Sequence, residues 1–188
     1  MDKIVSRTKY DRRQHRDFYL FHMFHRNYST YFMIALAIFV FIWAIINASQ
    51  LTDPNQIMIS WTMAAFTILI VPTMVISKIN GIVKVETKKR KDSTDMIEVT
   101  KAKLQRSTDI SDGKVVFGWN QIEIVCETKE YIYIYTGQNQ GIFIVKRDMI
   151  EGSADLFRKL AHKYMKPNKK GKVKYKTYFR IPKDDKRL

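Results

Sequence analysis

His22 and His25 stand three residues apart in "DFYLFHMFHRNYS", so on a helix their imidazoles would share one face and could hold a metal ion. No carboxylate or third histidine lies close beside them, and ring packing at a membrane interface is the better reading. Cys126 is the only cysteine, which excludes an internal disulfide and a cysteine-based zinc site. Set among isoleucines, it reads as an inert buried thiol. Glu123, Glu127 and Glu130 alternate with apolar residues or occupy a turn, the usual places of solvated carboxylates. The chain has no phosphate-cradling glycine loop, no H-E-x-x-H and no nucleophile elbow. No catalytic residue, metal site or cofactor is therefore expected, and the chain is not expected to be an enzyme.

Charge offers more chemistry. The formal net charge is +15, yet residues 93–162 hold nine basic and ten acidic side chains. The excess sits at +4 in residues 1–26, +4 in residues 78–92 and +9 in the tail "KYMKPNKKGKVKYKTYFRIPKDDKRL". Three readings of the tail compete. It is a solvated, disordered segment; or it lies on an anionic inner leaflet, where each Lys or Arg contributes roughly 1 kcal/mol and aromatic residues such as Tyr175, Tyr178 and Phe179 insert; or it binds a single nucleic-acid strand. The leaflet is favoured over nucleic acid, because the spans described below tether the segment there. Its contacts would be Lys88, Lys89, Arg90 and Lys91 beside the second span, and Lys169, Lys170, Lys172, Lys174, Lys176 and Arg180 in the tail. The alternation in "GKVKYKTYF" also suits an added edge strand guarded by lysines. Tyr131, Tyr133 and Tyr135 share one face of "YIYIY" and, if exposed, would offer a face to a protein partner.

Two segments must carry these groups. No charge occurs between Arg26 and Asp53, or again between Asp53 and Lys78. Each window is longer than the roughly 20 mostly apolar residues needed to cross a hydrocarbon core of about 30 Å. Neither has the polar face of a surface helix. Lys and Arg crowd residues 1–26 and 78–92 and are missing from "NASQLTDPNQ", so both termini are expected in the cytoplasm and the connector outside. Tyr28 and Tyr31 at the inner end of the first span, and Trp43 and Trp61 toward the outer ends, would form the interfacial aromatic belt. Pro72 removes one backbone donor and should kink the second span. Phe18, Phe21 and Phe24 suit a short interfacial helix ahead of the first.

The rest reads as sheet. "DMIEVTKA", "KLQRSTDI", "KVVFGW", "IEIVCET", "YIYIYT" and "GIFIVKR" are β-branched and aromatic runs separated by turns. Alternation sets Ile122, Ile124 and Cys126 against Glu123 and Glu127, and Ile132 and Ile134 against the tyrosines. "KIVSRTKY" near the start could supply another strand. In "EGSADLFRKLAHKYM", Ser153 is the expected N-cap, Asp155 sits in the first turn, and Leu156, Leu160 and Tyr164 form the stripe of a closing helix.

The element Trp119, Ile122 and Val125, a variant of "W-x-x-I-x-x-I", precedes "YIYIY" and then "IFIVKR" running into that helix. In this order, after two spans and over about residues 15–165, the chain resembles the YcxB-like family of small bacterial membrane proteins. Family members commonly carry "I-P-K-R" where this chain has Val145-Lys146-Arg147, so the proline is missing. The resemblance implies a pleckstrin-homology-like cytoplasmic sheet with a capping helix, and supplies no catalytic residue. The expected fold is thus a membrane α-helical hairpin plus an α+β cytoplasmic domain, a small antiparallel sheet of five to six strands closed by one helix. The expected divisions are 1–28 (cytoplasmic), 29–49 (span), 50–56 (external connector), 57–77 (span), 78–92 (basic juxtamembrane), 93–165 (sheet domain) and 166–188 (basic tail). The leading functional expectation is a non-enzymatic module in a bacterial cell membrane, binding a protein partner, anionic lipid headgroups or both. An immunity protein against a membrane-active toxin, or a structural subunit of an envelope complex, are the alternatives.

Overall fold

A computed structural model describes residues 3–138 and 140–179, which divide into two compact units. Residues 11–89 form the first; the described residues up to 10 and from 90 onward form the second.

The first unit is helical: α1 (Arg12–His25), α2 (Tyr28–Gln50) and α3 (Pro54–Arg90). Each start has a local cause. The side chains of Asp11, Asn27 and Asp53 accept from the backbone N–H of Arg13, Ser29 and Asn55 at 2.8, 3.0 and 2.9 Å, and Pro54 opens α3 where its missing donor costs nothing. Within α3, Thr62, Thr67 and Thr73 donate to the carbonyls four residues back at 2.7–2.9 Å, which satisfies hydroxyls in an otherwise apolar surface. Both α2 and α3 are long and apolar enough to cross a membrane, and only 11% of each apolar window is buried, unlike the core helix of a soluble protein. Helix α3 does not stop near residue 77 but continues through Gly81 to Arg90, with Pro72 inside it. Its later turns pack Val75, Ile79 and Val83 against Met23 of α1, and the Tyr19 hydroxyl donates to Glu86 Oε1 at 2.7 Å.

The second unit holds nine strands among the described residues, in two sheets, more than the five or six that local alternation reveals. The first sheet is antiparallel, with β1 (Ile4–Lys9), β2 (Thr94–Val99), β3 (Lys103–Thr108), β4 (Ser111–Gly118) and β8 (Met149–Glu151) in the order β4-β3-β2-β1-β8. The second contains β5 (Ile124–Glu127), β6 (Tyr131–Tyr135), β7 (Gly141–Val145) and β9 (Tyr175–Thr177) in the order β7-β6-β5-β9. Strand β9 runs parallel to β5. Three strands go beyond the six runs of local alternation: β1 pairs along all of β2, β8 pairs with β1, and β9 comes from the basic tail. β1 and β9 lie in the two segments, "KIVSRTKY" and "GKVKYKTYF", whose sequence suited a further strand, and each is completed by a partner far away in the chain.

Helix α4 (Ala154–Tyr164) closes the core. Ser153 caps it, its hydroxyl accepting from Leu156 N at 3.2 Å. The buried stripe is centred on Phe157, Leu160 and Ala161, with Leu156 and Tyr164 at its margins. These pack with Ile4, Val99 and Leu104 of the first sheet and Val125, Ile132 and Ile144 of the second. Trp119, between β4 and β5, lies 6.0 Å from the Phe157 ring and donates to Thr100 O at 3.0 Å. Gly152, just before α4, has φ +82°, and a Cβ there would meet Ile4 Cγ1 at 2.7 Å; only glycine lets β1 pass so close.

A candidate anion-binding groove

Register across the second sheet pairs Val125 with Ile134 and Glu127 with Ile132, while Ile124 and Cys126 lie opposite Tyr135 and Tyr133. Glu127 therefore shares the core face with Val125, and it is fully buried, not a solvated carboxylate on the outer face. The correction has a physical reason. Both faces of β5 are closed, so alternation cannot mark an outer one, and the charge is met by groups from three other segments. Lys146 Nζ donates to Glu127 Oε1 at 2.7 Å; Arg158 of α4 donates through Nε and Nη2 at 3.1 Å each; the Tyr175 hydroxyl donates to Oε2 at 2.7 Å. Burial by itself would raise the carboxyl's pKa, but the hydrogen bonds from Arg158, Lys146 and Tyr175 together hold it below the ordinary value. Burial, and then the Glu127 charge, push the Tyr175 hydroxyl well above its usual range. Arg158 lies between Phe157 and Leu160, and a charge in that stripe was the one sequence signal for the cluster.

This cluster fixes the tail. Lys174 O accepts from Val125 N at 3.0 Å, Tyr178 N donates to Glu127 O at 2.8 Å, and the Tyr175 ring stacks on His162 at 5.2 Å. Lys146 Nζ sits 4.3 Å over the Phe179 ring. The chain between α4 and β9 is consequently a closed loop with both ends held. Inside it the Asn168 side chain accepts from Lys170 N and Lys172 N at 2.9 and 3.1 Å, Gly171 N donates to Asn168 O at 2.9 Å, and Gly171 takes φ +72°. The result is a lysine-bearing turn in the basic tail, closed by the edge strand that the alternation in "GKVKYKTYF" suits.

Beside the turn lies an open groove of about 540 Å³. Its wall brings together Lys166, Lys169, Lys170 and Lys174 with Asn120 and a single acid, Glu123. Lys169, Lys170 and Lys174 are among the contacts expected from the sequence; Lys166, at the start of the same basic tail, joins them only in the structure. Lys172 and Lys176 are exposed but do not line the groove, and Arg180 lies outside the described residues. Lys88, Lys89 and Lys91 are exposed or partly so near the end of α3. Arg90 differs: it is paired with Asp95, which also accepts from Arg106 at 2.9 Å, so it is spoken for within its unit.

The tyrosine face is the other correction. Tyr133 and Tyr135 are 2% and 0% exposed, and Tyr131 stacks on Tyr133 at 5.6 Å, so the three do not form an exposed partner face. A Cβ on Gly141 would lie 2.8 Å from the Tyr135 ring, so the glycine is what admits that ring. Tyr28, Tyr31, Trp43 and Trp61 are by contrast all exposed, at 45–79%. His25 stacks on Phe21 at 4.3 Å, and among the described residues no group of three or more His, Cys, Asp or Glu is gathered for a metal.

These features define a class: a chain with two long apolar helices and a two-sheet α+β unit closed by a helix. Residues 106–161, from within β3 through most of α4, match the model of the family described as YcxB-like protein, and that segment is similar to it. No curated protein and no solved structure matches it.

Proposed function

We propose that the chain is a non-enzymatic binding module in a bacterial cell membrane. Helix α2 and the apolar part of α3 span the bilayer, both termini are cytoplasmic, and a pleckstrin-homology-like unit meets anionic lipid headgroups at the inner leaflet. The observation that carries this reading is the groove with four lysines and one acid, held on a closed loop in a chain with two unburied apolar helices. Exposed Phe32, Phe39, Phe66 and Leu69 suit contact with lipid rather than water. The lysine-rich flanks and lysine-free connector support the orientation.

Two labelling measurements test it. In a Cys126→Ser background, a cysteine at Ser49 is expected to react with an impermeant maleimide on intact cells, and one at Lys172 only after lysis; the reverse pattern would sink the topology. In nanodiscs, amine acetylation of Lys166, Lys169, Lys170 and Lys174 is expected to slow several-fold when phosphatidylglycerol replaces phosphatidylcholine, and to recover in high salt. Equal acetylation in both bilayers would rule out the headgroup contact.

A further inference from the structure

The groove is more specific than a basic surface. We propose that it is a site for a phosphate-bearing anion with at least two negative charges, such as a phosphomonoester or a diphosphate. The proposal rests on the reading of this wall as anion-binding and adds the chemical class of ligand.

The wall carries four positive charges against one negative, while residues 93–162 are nearly neutral, so the groove is strongly positive beside a neutral sheet unit. A ligand with two or more charges gains most from such a field. All four cations are lysines. An ammonium group is a compact point charge that can meet a tetrahedral phosphate from many directions, whereas arginine's planar fork suits carboxylates equally well. Asn120 adds a carboxamide donor to the same wall.

Size and order supply the rest. About 540 Å³ exceeds what a lone phosphate fills and leaves room for the group that bears it. Lys169 and Lys170 project from a turn pinned by Asn168, and Lys174 sits where β9 begins, so the lysine backbones need no ordering when the ligand arrives. Nucleic acid fits less well. The apolar part of the wall is Ile122 and Pro167, with no aromatic ring on which a base could stack.

The ligand can come from two sources, the headgroup of a phosphomonoester lipid or a free organic phosphate. The test uses the full chain in phosphatidylcholine nanodiscs, with pyrophosphate as the probe and calorimetry as the readout. Saturable binding is expected, weakened at least tenfold by the double variant K169E/K170E. K172E, an exposed lysine off the groove wall, is expected to change affinity less than twofold. Continued protection of Cys126 from thiol reagents would show that the variants remain folded. Doping the discs with phosphatidate, a phosphomonoester lipid, weakens apparent pyrophosphate binding tenfold if the lipid is the natural occupant. Unchanged binding points to a soluble phosphate, and either result requires the site. The proposal is overturned if wild type shows no saturable binding, if K172E does as much damage as the double variant, or if a single-stranded oligonucleotide outcompetes pyrophosphate. Should pyrophosphate fail while phosphatidylglycerol still protects the four lysines, the headgroup-contact reading survives and only the phosphate site falls.

Discussion

Replacing Glu127 with alanine is expected to speed the reaction of Cys126 with a thiol reagent by about two to three and a half orders of magnitude in the full chain. Cys126 is 1% exposed and adjacent on β5, so its reaction reports opening of the second sheet. Removing one partner of a buried ion cluster leaves uncompensated charge and typically costs about 3–5 kcal/mol, which gives that range at tenfold per 1.4 kcal/mol. Here Lys146 and Arg158 would both lose their shared acceptor, and Tyr175 would lose its hydroxyl's partner. Arg158 keeps Asp155 at 3.0 Å, a partly exposed contact that softens the loss without replacing it. Glu127→Gln keeps the volume and an acceptor and should fall between wild type and alanine. If neither variant changes the rate, the cluster does not hold the sheet closed.

The same cluster predicts an acid limit. Because the folded-state pKa of Glu127 lies below its ordinary value of 4.5, its contribution is fully present above that value and is lost as pH falls through the folded pKa. Cys126 reactivity toward a dithiodipyridine, which still reacts in acid, should therefore climb below about pH 4.5 in wild type and climb less in Glu127→Gln. Parallel acid profiles in the two proteins would assign the limit to other carboxylates.

Phe157→Ala should be comparably damaging by a different route. Its ring is fully buried, touches the shared core of both sheets and α4, and lies 6.0 Å from Trp119. Truncating such a ring typically costs about 3–5 kcal/mol, part lost transfer and part unfilled cavity. Collapse is poorly available, because the cavity would be walled by strands on two sides and helix on the third. Hydrogen exchange read by mass spectrometry should show the amides of β6 and β7 exchanging at least a hundredfold faster, with α2 unchanged. An effect spread equally over α2 would mean the two units do not unfold separately. Phe157→Leu, which refills much of the volume, should recover over half of the loss.

Where sequence was legible, the signal was local. The apolar windows of α2 and α3 follow from the run of uncharged residues alone, since crossing a bilayer needs only length and composition. Six strands from β2 to β7 and the Ser153 cap of α4 follow from side-chain period and one hydroxyl's reach. Lysine clustering in the tail was equally plain, being a matter of counting.

What only the tertiary structure decided depends on partners far apart in the chain. Strand β1 is a strand because β2, some 90 residues later, offers it a full ladder. Glu127 reads as surface until Lys146, Arg158 and Tyr175 arrive from 19, 31 and 48 residues away to make burial tolerable. Tyr135 reads as half-exposed until Gly141 clears space for its ring. The tail's sequence suits a disordered segment, a leaflet-bound one and an edge strand alike, because high charge and few apolar residues build no core of their own. It needs none, since β9 borrows one from β5, and that pairing turns a run of lysines into one wall of a groove. Composition could place the positive charge in the chain; only the closure of the loop between α4 and β9 could place it in space.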